Sequence, residues 1–146
     1  MKVALVQMNP IVGSFKYNST RISEIIEKFS SKCDLIIFPE MIIEGYPPQD
    51  LLLDRYFVNK ANIYLEKIAS LVSSTPVIIG TIRNDNNSLY NSAAVLRDSS
   101  VITYRDKSLL PTYDIFDEAR YFTPAKSISP VELLINDNLV KLGIQI

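Results

Sequence analysis

The sequence predicts an α/β protein in which a mixed sheet carries helices on one face. Three observations point to it. Asp34-Leu35-Ile36-Ile37-Phe38 is a continuous apolar run of strand length, the pattern of a strand covered on both faces. Between an apolar stretch at Lys2–Met8 and this run, Ile22, Ile25, Ile26 and Phe29 recur at helical spacing, which gives a β-α-β unit with a right-handed parallel crossover. Further on, Tyr90–Leu96 and Val101–Tyr104 flank Asp98-Ser99 as an antiparallel hairpin.

The first strand closes at Asn9-Pro10, and Gly13-Ser14 lies in a turn. Asn18 or Ser19 is placed to cap the helix that follows, with Arg21, Glu24, Glu27 and Lys28 on its polar face. Pro39 lacks an N–H and ends the second strand. Gly45-Tyr46-Pro47-Pro48-Gln49-Asp50 is rigid and irregular, because two prolines fix φ and exclude helix before them. A second helix is expected from Asp50 or Leu51 to about Ser73, burying Leu53, Phe57, Ala61, Tyr64, Leu65, Ile68 and Leu71-Val72. Pro76–Ile82 reads as a buried strand, and Asp85–Ser88 as a turn.

Arg105–Pro130 is long and has little periodicity, as functional loops do, and its aromatics Tyr113, Phe116, Tyr121 and Phe122 argue against disorder. Val131–Ile135 and Leu139–Ile146 close the chain as strands. The last is apolar enough to lie inside a sheet, whereas domains end in exposed polar sequence, so a truncated domain is expected.

Composition narrows the chemistry. At 146 residues there is room for one domain with a real core. A net charge of −1 gives no general attraction to nucleic acid or to anionic membranes, and no apolar run approaches the length of a membrane span. One cysteine fits a reducing compartment, so a cytoplasmic location is expected. The lack of histidine excludes Ser-His-Asp and Cys-His arrangements and nearly all zinc chemistry. None of the four glycines forms a phosphate-binding motif. A hydrolytic site here must be built from Glu, Asp, Lys, Tyr and Ser.

Glu40 stands at the carboxyl end of a buried strand, where open α/β sheets place their ligands. Held among Phe38, Met41 and Ile42 it is poorly solvated and a candidate general base; otherwise it caps the strand and faces water. Lys107 is either drawn inward to stabilise an oxyanion or is a solvated surface lysine. Glu118 either holds that lysine or pairs with Arg120. Tyr113 and Phe116 either line a small pocket or pack the loop onto the core. Cys33, just before a buried strand, reads as an inert core thiol.

Phe38-Pro39-Glu40 together with Tyr104-Arg105-Asp106-Lys107 resembles the nitrilase, or carbon-nitrogen hydrolase, superfamily, whose sites use Glu, Lys and Cys. The stretches Ala4–Gly13, Gly45–Leu53 and Pro111–Phe122 resemble more closely the glutaminase domain of glutamine-dependent NAD synthetases. The resemblance implies a partial α-β-β-α sandwich, with residues 1–146 as the N-terminal part of the glutaminase domain and the remainder and the synthetase domain absent. It implies Glu40 as general base, Lys107 as oxyanion lysine, Tyr113 as a glutamine contact, and Tyr46, Phe116 and Glu118 as pocket residues.

In such enzymes a cysteine thiolate attacks the glutamine amide, and the ammonia feeds an ATP-dependent amidation of deamido-NAD. ATP and Mg are therefore expected only on the synthetase domain, with no cofactor or metal on this chain. The strand resembling Lys141–Ile146 leads in the family straight into the nucleophilic cysteine, which this sequence lacks, so the chain is expected to be inactive alone. One sheet face is expected to be left open, favouring association or a complementing chain. The alternatives are a portion of another nitrilase-type amidase, or a non-catalytic interaction protein or gene remnant.

Overall fold

The structure, a computed structural model, describes residues 1–114 and 116–146; Ile115, within the Pro111–Phe122 motif, lies outside the described residues. Five strands form the main sheet in the order β1 (Val3–Leu5), β2 (Leu35–Ile37), β3 (Val77–Asp85), β4 (Ser88–Arg97) and β5 (Ser100–Asp106). The first three are parallel, and β3, β4 and β5 pair antiparallel, so the sheet is mixed as expected. Helices α1 (Phe15–Phe29) and α2 (Arg55–Ala69) supply the crossovers and pack against one another on one face.

Alternation along each strand sorts the core into two layers. Ile36, Val77, Ile79, Ala94 and Leu96 meet Ile22, Ile26, Leu65 and Ile68 of the helices. Their neighbours Leu35, Ile78, Ala93 and Val95 face the opposite way. The run read as covered on both faces is so covered: Leu35 and Ile36 are 2% and 0% exposed on opposite sides of β2. Burial of each such aliphatic side chain contributes about 1.5–3 kcal/mol.

The opposite face is not left open, which corrects the sequence expectation. A hairpin of β6 (Val131–Ile135) and β7 (Asn138–Leu142) forms a second sheet whose Val131, Leu133 and Ile135 close over it. The alternation of these short strands supplies the cover. The β1 edge escapes this cover: Val3 and Leu5 pair with Leu35 and Ile37 on that same face, and Leu5 is 76% exposed.

Several boundaries also differ from expectation. The last strand stops at Leu142 rather than Ile146 and lies largely exposed at the edge of a two-stranded sheet. The second helix stops at Ala69, and Leu53, expected to be buried, is exposed. Helix α1 starts at Phe15 behind Ser14, and Asn18 is no cap. Its buried amide accepts from Ile11 N (2.9 Å) and donates to Ile11 O (2.9 Å) and Ile43 O (3.0 Å), tying the segment before α1 to the one after β2. The single long helix from Asp50 is a 3-10 turn (Gln49–Leu53) followed by α2, whose N-cap Asp54 accepts from Tyr56 N at 2.8 Å. The three leucines at 51–53 continue the apolar pattern across the break and hide it. Among the described residues no helix is long and apolar enough to cross a membrane.

Candidate active site

The backbone that carries Glu40 is held unusually close to β3. Phe38 N donates to Ile78 O (2.8 Å), Gly80 N to Pro39 O (3.2 Å) and Ile42 N to Gly80 O (3.1 Å). A Cβ on Gly80 would sit 2.5 Å from Glu40 Cα and clash with Pro39 O, so only glycine admits this approach. Met41, directly after Glu40, takes a positive φ of 43°, a strained conformation of the kind stored at functional sites. Gly45 (φ 84°) then turns the chain against Val12, and a cis Tyr46–Pro47 peptide follows.

Glu40, Lys107 and Glu118 converge. Lys107, on the residue after β5, donates from Nζ to Glu40 Oε1 and to Glu118 Oε1, both at 3.0 Å. Its side chain is only 10% exposed, which decides between the inward and the surface reading. Glu118 pairs inward with Lys107 rather than with Arg120; its side chain is 7% exposed and Oε2 is buried without a partner among the described residues. Burial works against the Lys107 charge, but the hydrogen bonds to Glu40 and Glu118 outweigh it and hold the lysine pKa above its usual value. An ammonium has three donors, so one N–H remains after these two contacts.

Glu40 is not enclosed by apolar neighbours alone, as the sequence suggested. Besides Lys107 it accepts from Asn91 Nδ2 at 2.5 Å, and about a third of its side chain (31%) reaches solvent. Tyr46 OH donates to Glu118 Oε1 at 3.5 Å; burial, then the Glu118 and Glu40 carboxylates, raise its pKa, so it stays a neutral donor. Tyr46, Phe116 and Glu118 share the lining of a cavity of about 390 Å³ with Met41, Leu52 and Tyr121. Tyr113 does not join it: 69% exposed, it meets Phe116 edge-on (5.7 Å between centroids) and borders a separate hollow with Lys107, Ser108 and Leu110.

Cys33 precedes β2, at the opposite end of that strand from Glu40, and its thiol donates to Phe29 O at 3.2 Å. It is a packed thiol, as read. Three residues escaped the sequence reading. Asn91 is a polar residue inside a buried strand, 1% exposed, and Gly80 is the only glycine in one; both are out of place by strand preference, and that is the signal that finds them. Glu44 is fully buried four residues after Glu40. Its Oε1 accepts from Thr81 Oγ1 (2.6 Å) and Ile82 N (3.2 Å), while Oε2 has no partner among the described residues. Burial pushes its pKa up to about 7.

The structure is thus a mixed-sheet α/β sandwich with a carboxylate–ammonium–carboxylate cluster at the carboxyl ends of its strands and, in a sequence without histidine, no imidazole beside it. The model of the carbon-nitrogen hydrolase family matches residues 2–146, and the chain belongs to that family. It is 34% identical to the glutamine-dependent NAD(+) synthetase of Thermotoga maritima over 100% of this chain and 25% of the relative. The Synechocystis enzyme of the same name is 35% identical over 99% and 27%. The chain thus spans about a quarter of the length of the curated relatives it matches. Among solved structures, the Acinetobacter baumannii glutamine-dependent NAD+ synthetase superposes with a TM-score of 0.81 at 31% identity, over 96% of this chain and 26% of that one. An amidase from Nesterenkonia sp. shares the fold, with a TM-score of 0.76 at 20% identity over 97% and 54%.

Proposed function

We propose that this chain is part of a glutaminase domain of the glutamine-dependent NAD synthetase kind, carrying the base and the oxyanion lysine but not the nucleophile. The observation that supports this best is the convergence of Glu40 and Glu118 on one Lys107 ammonium, each at 3.0 Å. In this reading Glu40 takes the proton of a thiol, and the thiolate attacks the carboxamide carbon of glutamine. The free Lys107 N–H stabilises the oxyanion, and Glu40 returns its proton to the nitrogen as the C–N bond breaks and ammonia leaves. Glu40, again a carboxylate, then activates the water that hydrolyses the thioester. Glu118 keeps Lys107 charged and aimed, and Tyr46 and Phe116 shape the pocket. Tyr113 is the glutamine contact of this reading, from a position on the neighbouring hollow that Lys107 also lines.

The sequence holds one cysteine, Cys33, and it lies at the wrong end of β2, so the 146-residue polypeptide alone does not hydrolyse glutamine. In this reading the thiol comes from sequence outside these 146 residues, and the released ammonia serves an ATP-dependent amidation elsewhere. The test has two arms. The purified chain should release no glutamate or ammonia from glutamine. Mixed with the part of the Thermotoga maritima relative beyond the matched stretch, it should gain a glutaminase activity that E40Q and K107M each abolish. Release by the chain alone, or complemented activity indifferent to both substitutions, refutes the proposal.

A further inference from the structure

Glu40 has two oxygens, and the fold treats them differently. Oε1 accepts from both Asn91 Nδ2 (2.5 Å) and Lys107 Nζ (3.0 Å). Among the described residues Oε2 accepts from none, and it is not among the buried unpartnered atoms, so it meets solvent. Asn91 is fixed from both ends. Its side chain is almost wholly buried, and its backbone carbonyl accepts from Lys107 N at 2.8 Å. Its amide orientation follows from charge: reversed, Oδ1 would face a carboxylate oxygen, so the NH₂ must point at Glu40. Oδ1 is left buried and without a partner, a cost that the charge-assisted bond on the other side offsets.

We propose that Asn91 is a positioning residue that pins Glu40 through Oε1 and so makes Oε2 the oxygen that accepts the proton. This rests on the reading of Glu40 as the base. A thiol that meets Glu40 breaks its S–H bond, the proton forms an O–H bond on Oε2, and the sulfur keeps the electron pair as thiolate. Oε1, with two donors already on it, retains the negative end of the carboxyl dipole toward Lys107. Asn91 thereby sets the register of base and oxyanion lysine together, one through its side chain and the other through its backbone.

NMR of the labelled 146-residue chain tests this without any catalysis, so it can fail while the glutaminase reading stands, and the reverse. In the wild type a through-hydrogen-bond coupling from Asn91 Nδ2 to Glu40 Cδ is expected, with exchange of the bonded amide proton slowed about tenfold or more, as a charge-assisted bond implies. In E40Q the new carboxamide must keep its oxygen toward the two donors. The coupling should persist, and the new NH₂ should exchange at the rate of a solvent-exposed amide. N91D keeps the shape and turns the donor into an acceptor, so the coupling from Lys107 Nζ to Glu40 Cδ should disappear; a space-filling role would leave it intact. Absence of the Asn91–Glu40 coupling in the wild type overturns the proposal. So does a slowly exchanging carboxamide in E40Q, or an undisturbed Lys107–Glu40 coupling in N91D.

Discussion

Glu44 gives a test that needs no partner and no substrate. Burial pushes its carboxyl from 4.5 to about 7, with the Thr81 and Ile82 hydrogen bonds opposing but not cancelling that rise. The folded state therefore binds this proton more tightly than the unfolded chain, and stability must fall as pH rises. The contribution is complete below about 4.5, declines through the window between the two values, and is gone above about 7. A span of about 2.5 pH units at about 1.4 kcal/mol each amounts to about 3 kcal/mol in full.

E44Q keeps a carbonyl oxygen for Thr81 and Ile82 and cannot ionise. Urea unfolding of both proteins should show E44Q gaining about 2–3 kcal/mol on the wild type between pH of about 5 and about 8.5. Any fixed cost of seating the amide NH₂ cancels in that comparison. A difference between the two proteins that is flat across the window would refute the reasoning.

Further predictions follow from single contacts. G80A places a methyl against Pro39 O and Glu40 Cα; it should cost about 1–3 kcal/mol in urea unfolding and abolish the Asn91–Glu40 coupling. K107M leaves Glu118 buried and uncompensated, so it should lose about 3 kcal/mol, and adding E118Q should recover part of the loss in a double-mutant cycle. D54A removes the α2 cap and should cost about 1 kcal/mol, read from the thermal midpoint. Leu5 is exposed on the apolar edge, so sedimentation should show wild-type association that L5K suppresses, with little change in stability.

The strands were legible because each is a compact apolar run whose length and alternation leave few alternatives. Ile36 and Leu35 fall on opposite faces as their positions require. Glu40 and Lys107 became legible as a pair only through the family resemblance, since 67 residues separate them and no local pattern joins them. Asn91 was hidden by its own neighbours: it lies in a stretch correctly read as strand, and its partner Glu40 is named only when the segment after β2 is seen to cross β3 toward β4. Asn18 and Asp54 show the converse error. Both are cap-type residues near helix starts, but the loop before α1 claimed the first, and the break after Leu53 exposed the second as the true cap.

The cluster around Lys107 draws on points 67, 51 and 72 residues apart along the chain. Closing loops of that size is entropically unfavourable until the strands between them have paired. A partly folded molecule therefore leaves Glu40 in water, 67 residues from the ammonium, and only Glu118, 11 residues from Lys107, is local to it. The charged constellation is a late product of folding, and its signature would report the native sheet more faithfully than helix content does.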